Sequence, residues 1–314
     1  ALNLEELKVT APDVDKLRAI FEDLEFKRFT ERFLGKAAAK PAPRQPDLFS
    51  STIARNNTNE QGMIAHNEAS VSESNDAQAQ TDNAPMASIK TVPHDYQLVE
   101  TIEEAEALCA KLESCKELSL DTETTSTNAI DAELVGLSFS IKEHEAWYVA
   151  IPSQREQAQE MVNIFKPLYE NEDILKIGQN IKYDYEVLRN YGIDIQGKMF
   201  DTMLAHYVYQ PELRHNMDYM AETLLHYETV HIEELIGPKG KNQKNMRDLD
   251  PKEVYEYAAE DADITLQLKH VLEPKLKEVN AEKLFWEIEM PLVKVLADME
   301  INGVRLDTEQ LKQT

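Results

Sequence analysis

Three short segments place acids at spacings that solubility does not explain. In SLDTETTST, Asp121 and Glu123 are two residues apart, so on a strand both side chains leave the same face. In IGQNIKYDYEVL, Asn180 and Asp184 stand at i and i+4, which on a helix following a buried strand puts both on one face of its first turns. In VYEYAAEDADIT, Tyr257 and Asp261 repeat that spacing on a longer helix. Singly, each has an ordinary reading: solvated strand acids, a carboxylate settling a helix dipole, a core tyrosine beside a surface acid. Together, four carboxylates and a phenol converging on a sheet edge have no stable state as bare anions, and a pair of divalent cations supplies the compensation. Hard oxygen ligands favour Mg²⁺, with Mn²⁺ as its substitute, over zinc.

Other chemistries lack a starting point. Cys109 and Cys115 are six apart, which fits neither a CxxC pair nor a disulfide framework and suits a reducing, cytoplasmic setting. The eight histidines form no HExxH, and the nine glycines form neither GxGxxG nor a P-loop. Gly136-Leu137-Ser138-Phe139-Ser140 lacks the second glycine of a nucleophile elbow. With 33 Lys plus Arg against 58 Asp plus Glu, the net charge of −25 opposes a broad cationic surface of the kind that displaces counterions from nucleic acid. One basic island interrupts it: Lys239, Lys241, Lys244 and Arg247 read either as a solvated loop or as a phosphate-contacting loop that closes over a strand end. Arg214, in RHNMD, is a second candidate for backbone contact.

The elements that must position these residues follow from periodicity. Residues 1–36 carry helically spaced apolar positions at Leu17, Ile20, Phe21 and Leu24. Residues 37–94 are rich in Ala, Asn, Gln, Ser and Pro and predict a disordered linker. Beyond it, the spacing predicts a helix over 103–115, strands over 117–123, 134–141, 146–151 and 174–177, and helices over 156–169, 183–190, 201–209, 218–227 and 251–272. That order gives a mixed α/β sheet flanked by helices, with an antiparallel hairpin at its start. No window spans a bilayer, so no membrane partner is expected. The opening Ala1-Leu2-Asn3 has no basic-then-apolar leader, and the chain reads as a soluble fragment of something longer.

The three acidic segments, in chain order, resemble the Exo I, Exo II and Exo III motifs of the DEDDy 3′→5′ exonucleases. The longer strings GQNIKYD, RHNMDYMAETLL, GKNQ and YAAEDADITLQL look like the proofreading domain of the bacterial DNA polymerase I family. The resemblance covers about residues 95–280. EMPLVKVLADMEINGVRLD is similar to the opening of that family's polymerase domain, over 281–314, and residues 4–26 to the segment following its 5′-nuclease domain. Three things are implied: a ribonuclease H-like fold, two metal ions about 4 Å apart, and hydrolysis of the terminal phosphodiester of a single-stranded or frayed DNA 3′ end.

By motif position the resemblance makes Asp121 the bridging ligand, with Glu123 and Asp261 completing the first site and Asp184 holding the second. Tyr257 orients the attacking water and Asn180 binds the terminal nucleotide. Thr127 stands where the family often has a leucine against the terminal base. In the linker, Gln45, Asp47, Leu48 and Phe49 of QPDLF resemble the pentapeptide that docks on the bacterial sliding clamp. The implied setting is the cytoplasm, at the nucleoid, beside the polymerase and 5′-nuclease domains. Two other readings compete: an RNA-acting relative of ribonuclease D, and a catalytically silent domain that braces a polymerase and tethers it to the clamp.

Overall fold

The structure, a computed structural model, describes Lys16, residues 85–238, Gly240 and residues 243–312. The linker, the clamp-like pentapeptide Gln45–Phe49, Lys239 and Lys241 lie outside the described residues. Residues 79–314 group as one compact unit.

A six-stranded mixed sheet is its frame. In chain order the strands are β1 (Ala87–Ser88), β2 (Asp95–Val99), β3 (Glu117–Thr124), β4 (Leu134–Lys142), β5 (Glu145–Ala150), β6 (Leu175–Gly178), β7 (Met199–Asp201) and β8 (Tyr227–Glu228). The sheet runs β2-β5-β4-β3-β6-β7, and β1 pairs separately with β8. β3, β4 and β5 form an antiparallel meander; β2, β6 and β7 join in parallel. This is the expected mixed sheet with two additions, β2 and β7. β2 is an edge strand with alternating exposure and β7 has three residues, too few for a periodic signal.

The helices are α1 (Ile102–Leu112), α2 (Arg155–Glu170), α3 (Ile181–Arg189), α4 (Thr202–Tyr209), α5 (Met217–Met220), α6 (Ile232–Ile236), α7 (Pro251–Glu278), α8 (Glu282–Leu284), α9 (Met290–Asn302) and α10 (Thr308–Lys312). The expected helix over 218–227 divides: α5 passes into a π-helical turn to Leu225, and His226, at φ 54°, releases the chain into β8. α7 starts at a capping box, with Asp250 and Glu253 satisfying each other's backbone N–H and Pro251 in the first turn, where its missing N–H costs nothing. Among the described residues no helix is long and apolar enough to cross a membrane.

Alternation along β3 decides which side of the sheet each residue serves. Leu118 and Leu120 join Leu137, Phe139, Phe165 and Tyr169 in the main core, with the Phe139 and Phe165 rings 5.0 Å apart. Each such fully buried side chain contributes about 1.5–3 kcal/mol. The other face is small and polar. Ser119, Ser138 and Ser140 are fully buried there, and α7 crosses it with Ala258, Ala259 and Ala262 at zero exposure, so the helix backbone can lie close to the strands. At the far end, Phe285, Met290, Val293 and Ala297 belong to the same core, and α9 packs on α3.

Candidate active site

Asp121 and Glu123 lie on the α7 side of β3, opposite Ser138 and Gly136 of β4. Gly136 is required: a Cβ there would sit 2.0 Å from Tyr148 Cε2, because the Tyr148 ring covers that position. Asp261 descends from α7 onto the same spot. One oxygen of each of Asp121, Glu123 and Asp261 lies within 4.8 Å of the others, and Glu123 and Asp261 are only 7% and 5% exposed. Tyr257, one turn earlier on α7, lies close enough to Asp261 to interact with it electrostatically.

The electrostatics match that crowding. Burial pushes the Asp121 carboxyl up to about 6. Burial, then the neighbouring acids, hold Glu123 and Asp261 well above the carboxylate range. The Tyr257 phenol is driven well above its ordinary value by burial and by Asp261, Glu123 and Asp121, so it stays protonated at neutral pH. Two buried carboxylates, Glu123 and Asp261, and the half-buried Asp121, with converging oxygens and raised pKa values, form a donor set of hard oxygens suited to a divalent cation.

Asp184 stands outside this group. It is 2% exposed and accepts a 2.6 Å hydrogen bond from Thr122 Oγ1. Thr122 alternates with Asp121 and Glu123, so Asp184 approaches β3 from the opposite face. It still raises the Glu123 pKa, and Asp121 in turn raises its own after burial does.

Asn180 corrects the sequence expectation. It does not share a helical face with Asp184; it is the residue before α3, exposed, at φ 60°. The cause is Asp201, whose carboxylate accepts the backbone N–H of Asn180 and Ile181 at one side and of Met203 and Leu204 at the other. Burial pushes Asp201 up to about 6 despite those four donors. Sequence reasoning missed it: Asp-Thr ahead of α4 signals a helix cap, but not that the same carboxylate fixes the start of α3. Asp201→Ala strands four N–H groups, each costing about 1–3 kcal/mol if left unmet. Urea denaturation is expected to show a loss of at least about 2 kcal/mol, with activity falling as Asp184 shifts.

A cavity of about 490 Å³ opens beside Glu123, walled by residues 124–127, Asn180, Tyr183, Ile232, Ile236 and residues 243–246. Tyr183, also missed from sequence, braces the first wall, its hydroxyl bonded to the Ser126 carbonyl and 2.5 Å from Thr124 Oγ1. Thr127 and Lys244 are both exposed on this cavity. Arg214 is exposed too, next to His215, whose carbonyl receives Gln179 Nε2 at 2.9 Å.

Arg247 is a second correction. Instead of facing a phosphate, its guanidinium donates to the strand-end carbonyls of Ile151, at 2.5 Å, and Leu134. Its fork ties residues 243–248 to the ends of β4 and β5. Arg247→Ala is therefore expected to cost about 1–3 kcal/mol of stability and to leave the salt dependence of polyanion binding unchanged. Lys244→Ala should do the reverse, which melting curves and binding at several salt concentrations will separate.

The mixed sheet with a carboxylate cluster at β3 agrees with the expected ribonuclease H-like fold. Residues 96–277 match the family model described as 3′-5′ exonuclease, and the chain belongs to that family, the 3′-5′ exonuclease domain of DNA polymerase I. It is 36% identical over 220 residues to DNA polymerase I of Borreliella burgdorferi, covering 69% of this chain and 24% of that protein. To DNA polymerase I of Pseudomonas aeruginosa it is 39% identical over 228 residues, covering 69% and 25%. The chain thus spans about a quarter of the length of these curated relatives. Its fold aligns with Brucella melitensis NrnC with bound Mg²⁺ at a TM-score of 0.53 and 18% identity, over 68% of this chain and 95% of that one.

Proposed function

We propose that this chain performs proofreading hydrolysis, removing 3′-terminal nucleotides from single-stranded or frayed DNA with two divalent ions, Mg²⁺ or Mn²⁺. The convergence of Asp121, Glu123 and Asp261 carries the reading, since like charges crowded at a largely buried site are unstable without a cation. Asp121 would be shared between the ions, with Glu123 and Asp261 on the first and Asp184 serving the second from across β3. When bound, the ions make water a nucleophile at neutral pH and stabilise the leaving 3′ oxygen. Tyr257, protonated, orients the attacking water and takes no proton. The cavity beside Glu123 seats the terminal nucleotide, with Asn180 at its rim, Ile232 and Ile236 as an apolar wall and Lys244 toward phosphate. Lys239, Lys241 and Arg214 extend the contact along the strand.

NrnC, which shares the fold, has bound Mg²⁺, in keeping with the choice of ion, and the DNA polymerase I relatives support DNA over RNA and over a silent brace. The exposed stripe Ile288, Leu292, Val295 and Met299 suits packing against a polymerase domain. Contact with a sliding clamp rests on Gln45, Asp47, Leu48 and Phe49 alone; a peptide of residues 40–55 should bind the clamp and lose binding when Leu48 and Phe49 become Ala.

The central test is digestion of a 5′-labelled primer with a 3′ mismatch. Mg²⁺ should give a ladder of shortened products; a ladder that survives EDTA overturns the metal assignment. Stability offers an independent readout. A carboxyl raised to about 6 from about 3.9 when unfolded supports folding below the lower value and ceases to do so as pH rises through the higher one. Metal-free protein should therefore melt progressively lower from about pH 4 to about pH 7. The gain on adding Mg²⁺ should grow over the same window, as protons leave the ligands.

A further inference from the structure

Lys244 and Asn245 connect two parts of the cavity wall. Lys244 N–H donates to the Ile236 carbonyl at 2.9 Å, fixing this stretch to the end of α6. Asn245 then caps the 3₁₀ turn Met246–Asp248, its Oδ1 accepting Arg247 N–H at 3.0 Å while its own N–H donates to Asp248 Oδ2. With Oδ1 so engaged, the amide has one orientation, and Nδ2 faces the Thr125 carbonyl at 2.7 Å. Capping alone does not need this second bond, since Asp or Ser caps as well as Asn. Thr125 lies two residues past Glu123, beyond the bulge at Glu123/Thr124, and belongs to the opposite wall of the same cavity.

We propose that Asn245 is a positioning residue for the 3′-terminal nucleotide, its amide bond to Thr125 setting the separation between the wall at residues 124–127 and the wall built by α6 and residues 243–246. This rests on the cavity being the seat of that nucleotide. Asn245 touches no reacting atom. Its effect therefore falls on how tightly the terminal nucleotide is held, not on the hydrolytic step.

Two variants isolate the bond. Asn245→Asp keeps the cap on Arg247 N–H but turns a carboxylate oxygen toward the Thr125 carbonyl; Asn245→Ser keeps the cap and cannot reach Thr125. Loss of one net hydrogen bond corresponds to about 5–10-fold. Both variants should raise KM on a single-stranded oligonucleotide and the inhibition constant of a deoxynucleoside 5′-monophosphate by that factor. Both should keep kcat within about twofold even though the lost hydrogen bond lowers the melting temperature by a few degrees. Unchanged KM and inhibition constants overturn the inference, and so does a fall in kcat that tracks a fall in melting temperature. A wild-type protein that digests the strand but is not inhibited by the monophosphate overturns the seat itself, and the role of Asn245 with it.

Discussion

Asp121→Ala is expected to lower 3′→5′ hydrolysis by about 10³-fold or more while raising the melting temperature of the metal-free protein. The two effects share one cause. Asp121 raises the pKa of Glu123, Asp184 and Asp261 together, so it is the charge that every other acid of the site feels. Removing it relieves repulsion in the empty site and deletes the ligand that both metal positions would share. Sites kept for function at the expense of stability behave in this way. The measurement pairs a primer-digestion rate with a thermal melt in EDTA. An inactive variant that also melts lower than wild type would mean that Asp121 supports the fold and not the charge cluster.

Tyr257→Phe is expected to slow single-turnover hydrolysis by about 10²-fold with little change in KM. Burial and three neighbouring acids keep the phenol protonated, so the role proposed for it is to place a water, and loss of placement would appear in kcat. The Mg²⁺ dependence should be unaltered, because the three carboxylates remain. A rate in the wild type that climbs toward alkaline pH and flattens in Tyr257→Phe would instead make the phenolate a base.

What could be seen in the sequence was whatever depends on local period. Asp121 and Glu123 were legible because Leu118 and Leu120 alternate with them and fix the face of β3. Tyr257 and Asp261 were legible because α7 is long and regular; Asp261 converges with the β3 acids, and Tyr257 feels their charge. Asn180 was misread because its left-handed backbone is imposed by Asp201, 21 residues away. Arg247 was misread because its partners are carbonyls 96 and 113 residues earlier, and composition makes any loop arginine look free for phosphate. The position of Asp184 across the strand depends on where α3 meets β3, which no window of sequence contains.

The packing of α9 against α3 separates two boundaries that are easily taken for one. Sequence similarity to the exonuclease family stops at residue 277, yet Met290, Val293 and Ala297 are buried in the nuclease core. Lys294 closes on the Ile195 carbonyl, and Glu300 pairs with Lys182 on the helix that carries Asp184. Truncation at the end of the similarity would strip apolar cover from that helix, at about 1.5–3 kcal/mol for each large side chain exposed. A fragment ending at residue 277 is therefore expected to be less stable than one that continues through α9, and mutations in α9 are expected to act on hydrolysis from outside the segment that the family match covers.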